Sequence, residues 1–158
     1  MSDESAVCYT YEAALELAIE MENEGFRHYL DGIKKLKDKD AKELMREMAL
    51  EELEHKHALE KALLGGYMGG GHALDKEVPT MNLDYVFHKE ELSPEASMQD
   101  AVAYAIHQEK MALYFYKRMG KGCEGAPMGN LFERLANDES RHMQKLEDLY
   151  ERMFMPEN

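Results

Sequence analysis

The chain has 158 residues, one domain by length and enough to bury a core. Asp and Glu outnumber Lys and Arg by 32 to 19, a net charge of −13, which argues against nucleic acid as a partner. No apolar run nears the ~20 residues of a membrane span, Met1 to Glu20 lacks a secretory leader's basic start and apolar stretch, and Cys8 and Cys123 form no CxxC, which excludes a thiolate zinc site or cysteine-held cluster.

A soluble cytoplasmic protein, with no membrane partner, is therefore expected. Residues 10–36 carry no proline and are rich in helix formers, which predicts a first helix. Asp38 or Asp40 can cap a second helix, about 40–64, which Gly65 and Gly66 end. Residues 65–96 hold a cluster of glycines and Pro79 and read as a long connection, with a helical turn expected near Asn82 to His88. Pro94, Ser97 and Asp100 mark the start of a third helix, about 97–119, which Gly120 to Gly122 should stop. A last helix is expected over 127–154. No segment alternates as a strand does. The fold class is therefore all-α: a four-helix bundle of two hairpins, occupying 1–158 as one domain. A helix of ~25 residues is about 37 Å long, and the connection can cross that distance.

The two hairpins are related by a shift of 87 residues, which aligns residues 11–63 without a gap and gives 12 identities. Among them Glu22 falls on Glu109, Tyr29 on Tyr116, Glu52 on Glu139 and His55 on His142. Shared composition accounts for Ala and Leu matches but not for the histidine pair, so the bundle reads as an internal duplication.

The apolar stripes carry charge where it does not belong. On the first helix the stripe runs Leu15, Ile19, Phe26, Tyr29, Ile33, and Glu22 fills its one seven-residue gap. Glu109 fills the matching gap between Ile106 and Leu113 on the third helix. Glu52 and His55 interrupt the second stripe, Glu139 and His142 the fourth. Four unpaired buried carboxylates would outweigh the ~5–15 kcal/mol stability of a domain. They could take up protons, but no Lys or Arg lies in the stripes at that level. Two divalent cations would balance the four acids, with the histidines as neutral nitrogen ligands. In Glu-x-x-His both side chains lie one turn apart on one face, so both can reach one metal. One Glu from each of two helices plus Glu-x-x-His from each of the other two is the dinuclear carboxylate pattern of ferritin-like bundles. Glu54 and His57 repeat the spacing but face outward, as do Glu20, Glu24 and His107. His28 reads as a boundary residue, and nothing pairs His72 with His88.

The phrases AIEMENEGFRHY with EELEHKH, and AIHQEKMALYFY with NDESRH, resemble the rubrerythrin branch of the ferritin-like superfamily. The resemblance implies a non-haem di-iron site, with manganese or zinc as other occupants, held by Glu22, Glu52, His55, Glu109, Glu139 and His142. It implies Glu52 and Glu139 as the bridges, and an oxidoreductase (peroxidase or ferroxidase) acting on hydrogen peroxide or dioxygen. Full rubrerythrins carry a rubredoxin domain with two CxxC motifs. None occurs here, so an electron donor protein in trans is expected. The position where rubrerythrins tend to place an additional carboxylate is Ala112. Bacterioferritins share the six-ligand pattern, but no fifth helix is expected after Phe154, so a storage shell is not.

Two other function classes stay open at this stage: iron binding or buffering without turnover, and a structural bundle whose acids hold zinc or nothing. Tyr29 and Tyr116 lie two turns from Glu22 and Glu109 on the same face, where they could hydrogen-bond ligands of a neighbouring helix or donate electrons, or simply fill the core. The 13 methionines read as core filler. Cys8 and Cys123 are brought to one end of a crossover bundle and read as two thiols in a reducing compartment. Tyr67, Met68 and Phe87 in the connection suggest a homodimer.

Overall fold

The computed structural model describes residues 11–65, 79–80, 91–125 and 127–155. These form four helices, α1 (Tyr11–Lys35), α2 (Lys39–Leu63), α3 (Met98–Gly122) and α4 (Pro127–Phe154), and none of the described residues is in a strand. The expected helical turn at Asn82 to His88 lies outside the described residues, as do Cys8, Tyr67, Met68, His72, Phe87 and His88. The expected approach of Cys8 to Cys123 and the apolar cover argument for a homodimer rest on them.

The helix starts follow their capping chemistry. Asp38 accepts a hydrogen bond from the Ala41 backbone N–H at 2.9 Å and so opens α2. Ser97 and Asp100 form a reciprocal capping box at the start of α3, each side chain accepting from the other's backbone N–H. Gly65 leaves α2 with φ +99°, a conformation that side-chain-bearing residues resist.

The topology is set where the turn after α1 meets the end of the long connection. The Lys37 backbone N–H donates to the Pro94 carbonyl at 3.1 Å. The start of α3 therefore sits at the end of the bundle where α1 turns into α2. Because α2 runs from there to the opposite end, α2 finishes and α3 begins at opposite ends of the bundle, a placement that calls for a connection between the two ends. It makes α3 antiparallel to α1, which is the crossover the sequence predicts.

Several details differ from the sequence-based expectations. The deepest line of α1 is made of small residues, Ala14 and Ala18 beside Leu15, whereas Ile19, Phe26 and Ile33 are only half-buried. The helices approach closely there, so size outranks hydrophobicity. α3 ends at Gly122, within the expected stop at Gly120 to Gly122. A Cβ at Gly120 would meet the Glu133 backbone nitrogen at 3.4 Å, an ordinary contact, whereas a Cβ at Gly129 would collide with the Cys123 backbone carbonyl, so Gly129 is the glycine that lets α4 start this close to the end of α3. Lys110, next to Glu109, is buried, but its ammonium lies 5.0 Å from the Tyr114 ring centre, over the ring face. Methionine is mixed in its use: Met45, Met48 and Met143 are core, whereas Met111, Met153 and Met155 are exposed. Glu54 and His57 face outward as expected, and so do Glu20 and Glu24. His107 does not, being half-buried on the wall of a polar cavity at the α3 end nearest Leu92.

Candidate metal centre

Each of the four helices contributes an acid to one internal layer, and α2 and α4 add the histidine one turn later. Glu22, Glu52, Glu109 and Glu139 are all buried, as is His142, and His55 is nearly so. The two imidazole centres are 5.8 Å apart. His55 Nδ1 lies 3.2 Å from Glu22 Oε1 and 3.3 Å from Glu139 Oε1. His142 Nδ1 lies 3.7 Å from Glu109 Oε2 and 3.6 Å from Glu139 Oε2. Two three-ligand groups result, Glu22–His55–Glu139 and Glu109–Glu139–His142, each with its ligand atoms within 4.8 Å of one another. Glu139 belongs to both and presents one oxygen to each histidine. Glu52 lies in the same layer without joining either group. A Cβ at Gly25 would come within 3.0 Å of Glu52 Oε2, so this carboxylate occupies the space that the glycine leaves on α1.

Six atoms of this layer are buried without a hydrogen-bond partner: Glu22 Oε2, His55 Nδ1, Glu109 Oε2, both Glu139 oxygens and His142 Nδ1. Native proteins rarely leave such atoms unsatisfied. All six are the oxygen and imidazole donors that suit iron, manganese or zinc. The residues present therefore fit a pair of divalent cations.

Electrostatics point the same way. Burial works against charge on both histidines, but the acids around them win: Glu22, Asp138 and Glu139 push His55 well above its usual range, and Glu109 and Glu139 push His142 up to about 11. Burial and the Glu109 charge push Glu139 up to about 8, and burial with Glu109 and Glu22 lifts Glu52 well above the carboxylate range. Glu22 and Glu109 go the other way despite burial. Glu22 is held down by the His55 charge and by the Tyr116 hydrogen bond, and Glu109 is held down to about 2 by its close neighbours Glu139 and His142 and by the Tyr29 hydrogen bond. Without metal, the surrounding acids therefore favour the charged form of both imidazoles, while burial and the neighbouring carboxylates favour the protonated forms of Glu52 and Glu139.

The tyrosines cross between the halves. Tyr29 donates to Glu109 Oε1 at 2.9 Å, and Tyr116 donates to Glu22 Oε1 at 2.8 Å. Burial, and then the nearby carboxylates, push both phenols well above their usual range, so they remain donors.

A second line of support was not apparent in the sequence. Asp138, buried on α4, accepts from His55 Nε2 at 2.6 Å and from the Arg141 guanidinium at 2.9 Å. These contacts hold its carboxyl well below the usual range against the effect of burial. Its counterpart under the 87-residue shift, Glu51, lies 3.7 Å from His142 Nε2 and is a third exposed. The one available signal is an acid immediately before the ligand-type Glu in both halves.

A cleft of about 770 Å³ lies between α1 and α3 and reaches Glu22, Glu52 and Glu109. Gly25 and Ala112, equivalent under the shift, both line it.

The family model that matches this chain is that of rubrerythrin, over residues 13–150. The chain belongs to the rubrerythrin family. Neither the curated proteins nor the solved structures give a significant match. Membership agrees with the four-helix fold and with a di-iron-type site among buried acids and histidines. Among the described residues no helix is long and apolar enough to cross a membrane.

Proposed function

We propose that this rubrerythrin-family chain is a non-haem di-iron oxidoreductase that reduces hydrogen peroxide or dioxygen, with electrons from a separate donor protein. Glu22, Glu52, His55, Glu109, Glu139 and His142 would hold the metals, Glu139 being the residue common to both ligand groups. The observation that carries this reading is the set of six unsatisfied buried donor atoms in one layer. No core of this size retains them for packing alone.

Two ferrous ions held by these residues would provide the two electrons that peroxide reduction needs. The chain's own residues do the rest. Tyr29 and Tyr116 fix the orientation of Glu109 and Glu22 through their hydroxyl protons. Asp138 keeps the Nε2 proton on His55, which leaves Nδ1 free to ligate. The cleft between α1 and α3 admits the oxidant beside Glu52. Exposed Leu50 and Leu53 on α2 support a homodimer, and the acidic surface supports a cytoplasmic, nucleic-acid-free setting.

Iron binding without turnover is a second reading, and Ala112 favours it. This residue stands at the cleft where related proteins tend to place an additional carboxylate.

Metal analysis of the purified chain, followed by peroxide consumption with a chemical reductant, tests both readings. About two iron per chain and many peroxides per site support the enzyme. One oxidation event per site supports storage or buffering. No iron uptake by a folded chain, even after reconstitution, defeats both.

A further inference from the structure

The cleft above the metal layer is larger and more apolar than hydrogen peroxide requires. Its volume, about 770 Å³, falls in the range of sites for small organic ligands. Its α3 wall is Met111, Ala112, Tyr114 and Phe115, with Met21 opposite on α1. The duplication makes this wall informative. Glu24, Arg27 and His28 of α1 stand where α3 has Met111, Tyr114 and Phe115, so three successive polar positions of one half are apolar in the other. Met111 and Tyr114 remain about half exposed, so this wall is accessible to a ligand from solvent.

The far end of the cleft is basic. Lys117, Arg118 and Lys121 line it on a chain whose net charge is −13, while Glu24 is the acid on the facing wall. Arg118 and Lys121 follow Glu109 by nine and twelve residues, about 13–18 Å along the helix axis. That is the reach of ~10–14 carbons of an extended alkyl chain. At the inner end, Gly25 and Ala112 leave Glu22, Glu52 and Glu109 open to the cleft.

We propose that the cleft binds a long-chain carboxylate bearing a hydroperoxide. The chain lies along the Met111–Phe115 wall, the carboxylate meets Arg118 and Lys121, and the hydroperoxide reaches the layer of Glu22, Glu52 and Glu109. This substrate class rests on the di-iron reading above. The O–O bond of R–OOH is cleaved, and two electrons from the reduced metal pair with two protons from solvent yield R–OH and water. The separate one-electron donor restores the pair.

The test begins on the metal-free full-length chain, with oleate as an unreactive probe and displacement of a fluorescent fatty acid as the readout. Binding is expected, at least tenfold weaker in A112F, which fills the cleft, and in R118E/K121E, which reverses its basic end. Far-ultraviolet circular dichroism shows whether the variants keep their helices, and R118A/K121A replaces the charge reversal if it unfolds. On the iron-loaded chain, kcat/KM for linoleic acid hydroperoxide is expected to exceed that for its methyl ester by at least tenfold, and this preference should collapse in R118E/K121E. Absence of oleate binding, or equal binding by wild type and both variants, overturns the proposal. Hydrogen peroxide turnover without oleate binding sinks the cleft and spares the di-iron reading. Oleate binding with no peroxide of any kind reduced sinks the di-iron reading and the hydroperoxide substrate, leaving only a carboxylate site.

Discussion

Asp138 accepts a 2.6 Å hydrogen bond from His55 Nε2, whereas Glu51, its equivalent in the other half, stays 3.7 Å from His142 Nε2. The first contact is buried and charge-assisted, the second partly solvated. D138N should therefore weaken metal binding on the His55 side about 10–100-fold, the usual effect of losing a carboxylate behind a ligating imidazole. E51Q should change affinity several-fold less. Competition with a metallochromic chelator measures both, and equal losses would show that the asymmetry has no energetic content.

Removing either phenol should expose a ligand-type carboxylate. Y29F leaves Glu109 Oε1 without its donor and Y116F does the same to Glu22 Oε1. Hydrogen bonds to charged groups contribute about 1.5–3 kcal/mol. Urea unfolding of the metal-free protein should show a loss in that range for each variant. A loss below ~0.5 kcal/mol would mean that the hydroxyls merely fill space.

Gly25 makes an opposed pair of expectations. A Cβ there meets only the end of the Glu52 side chain, at 3.0 Å, and this flexible group can swing aside. G25A should leave the metal-free protein as stable as wild type, or up to ~1 kcal/mol more so, from helix propensity. Metal affinity should fall, about tenfold, because Glu52 is displaced. Thermal denaturation with and without manganese separates the two effects. A variant that loses apo stability and keeps its metal would contradict the placement of Glu52.

Metal uptake should release protons. His55, His142, Glu52 and Glu139 all have raised pKa values, with Glu139 near about 8 and His142 near about 11. Near pH 7 Glu139 and His142 carry protons that ligation displaces, and the upward shifts of His55 and Glu52 act in the same direction, so two cations should expel at least two protons. Calorimetric titration in buffers of different ionisation enthalpy counts them. The sign for the metal-free protein follows from Glu139. Its raised pKa stabilises the fold below the unfolded value of 4.5 and loses that contribution as pH climbs through about 8. The metal-free melting temperature should fall from pH 5 to pH 8, and stabilisation by added metal should grow over the same interval.

The sequence-based reading reached the bundle and the six buried groups because both leave periodic marks. Glu22 and Glu109 interrupt stripes that otherwise step by three and four, and the 87-residue shift pairs each interruption with its copy. Asp138 left no such mark. It sits one residue, about 100°, off the ligand line, where an acid reads as solvated. The α1 core line was misread because Ala14 and Ala18 are weakly hydrophobic but small. The departure of Glu52 from both ligand groups depends on the volume beside Gly25, which no pattern in the chain encodes.

The unequal backing of the two histidines makes a duplicated sequence into two unlike ports. In the proposed centre, the His55 side is anchored by a buried aspartate–arginine pair, and the His142 side by an acid one third open to water. Ions on the two sides would then exchange at different rates, the His142 side first. A chain loaded from a mixture of metals would carry a heteronuclear pair whose composition records the order of loading rather than the supply.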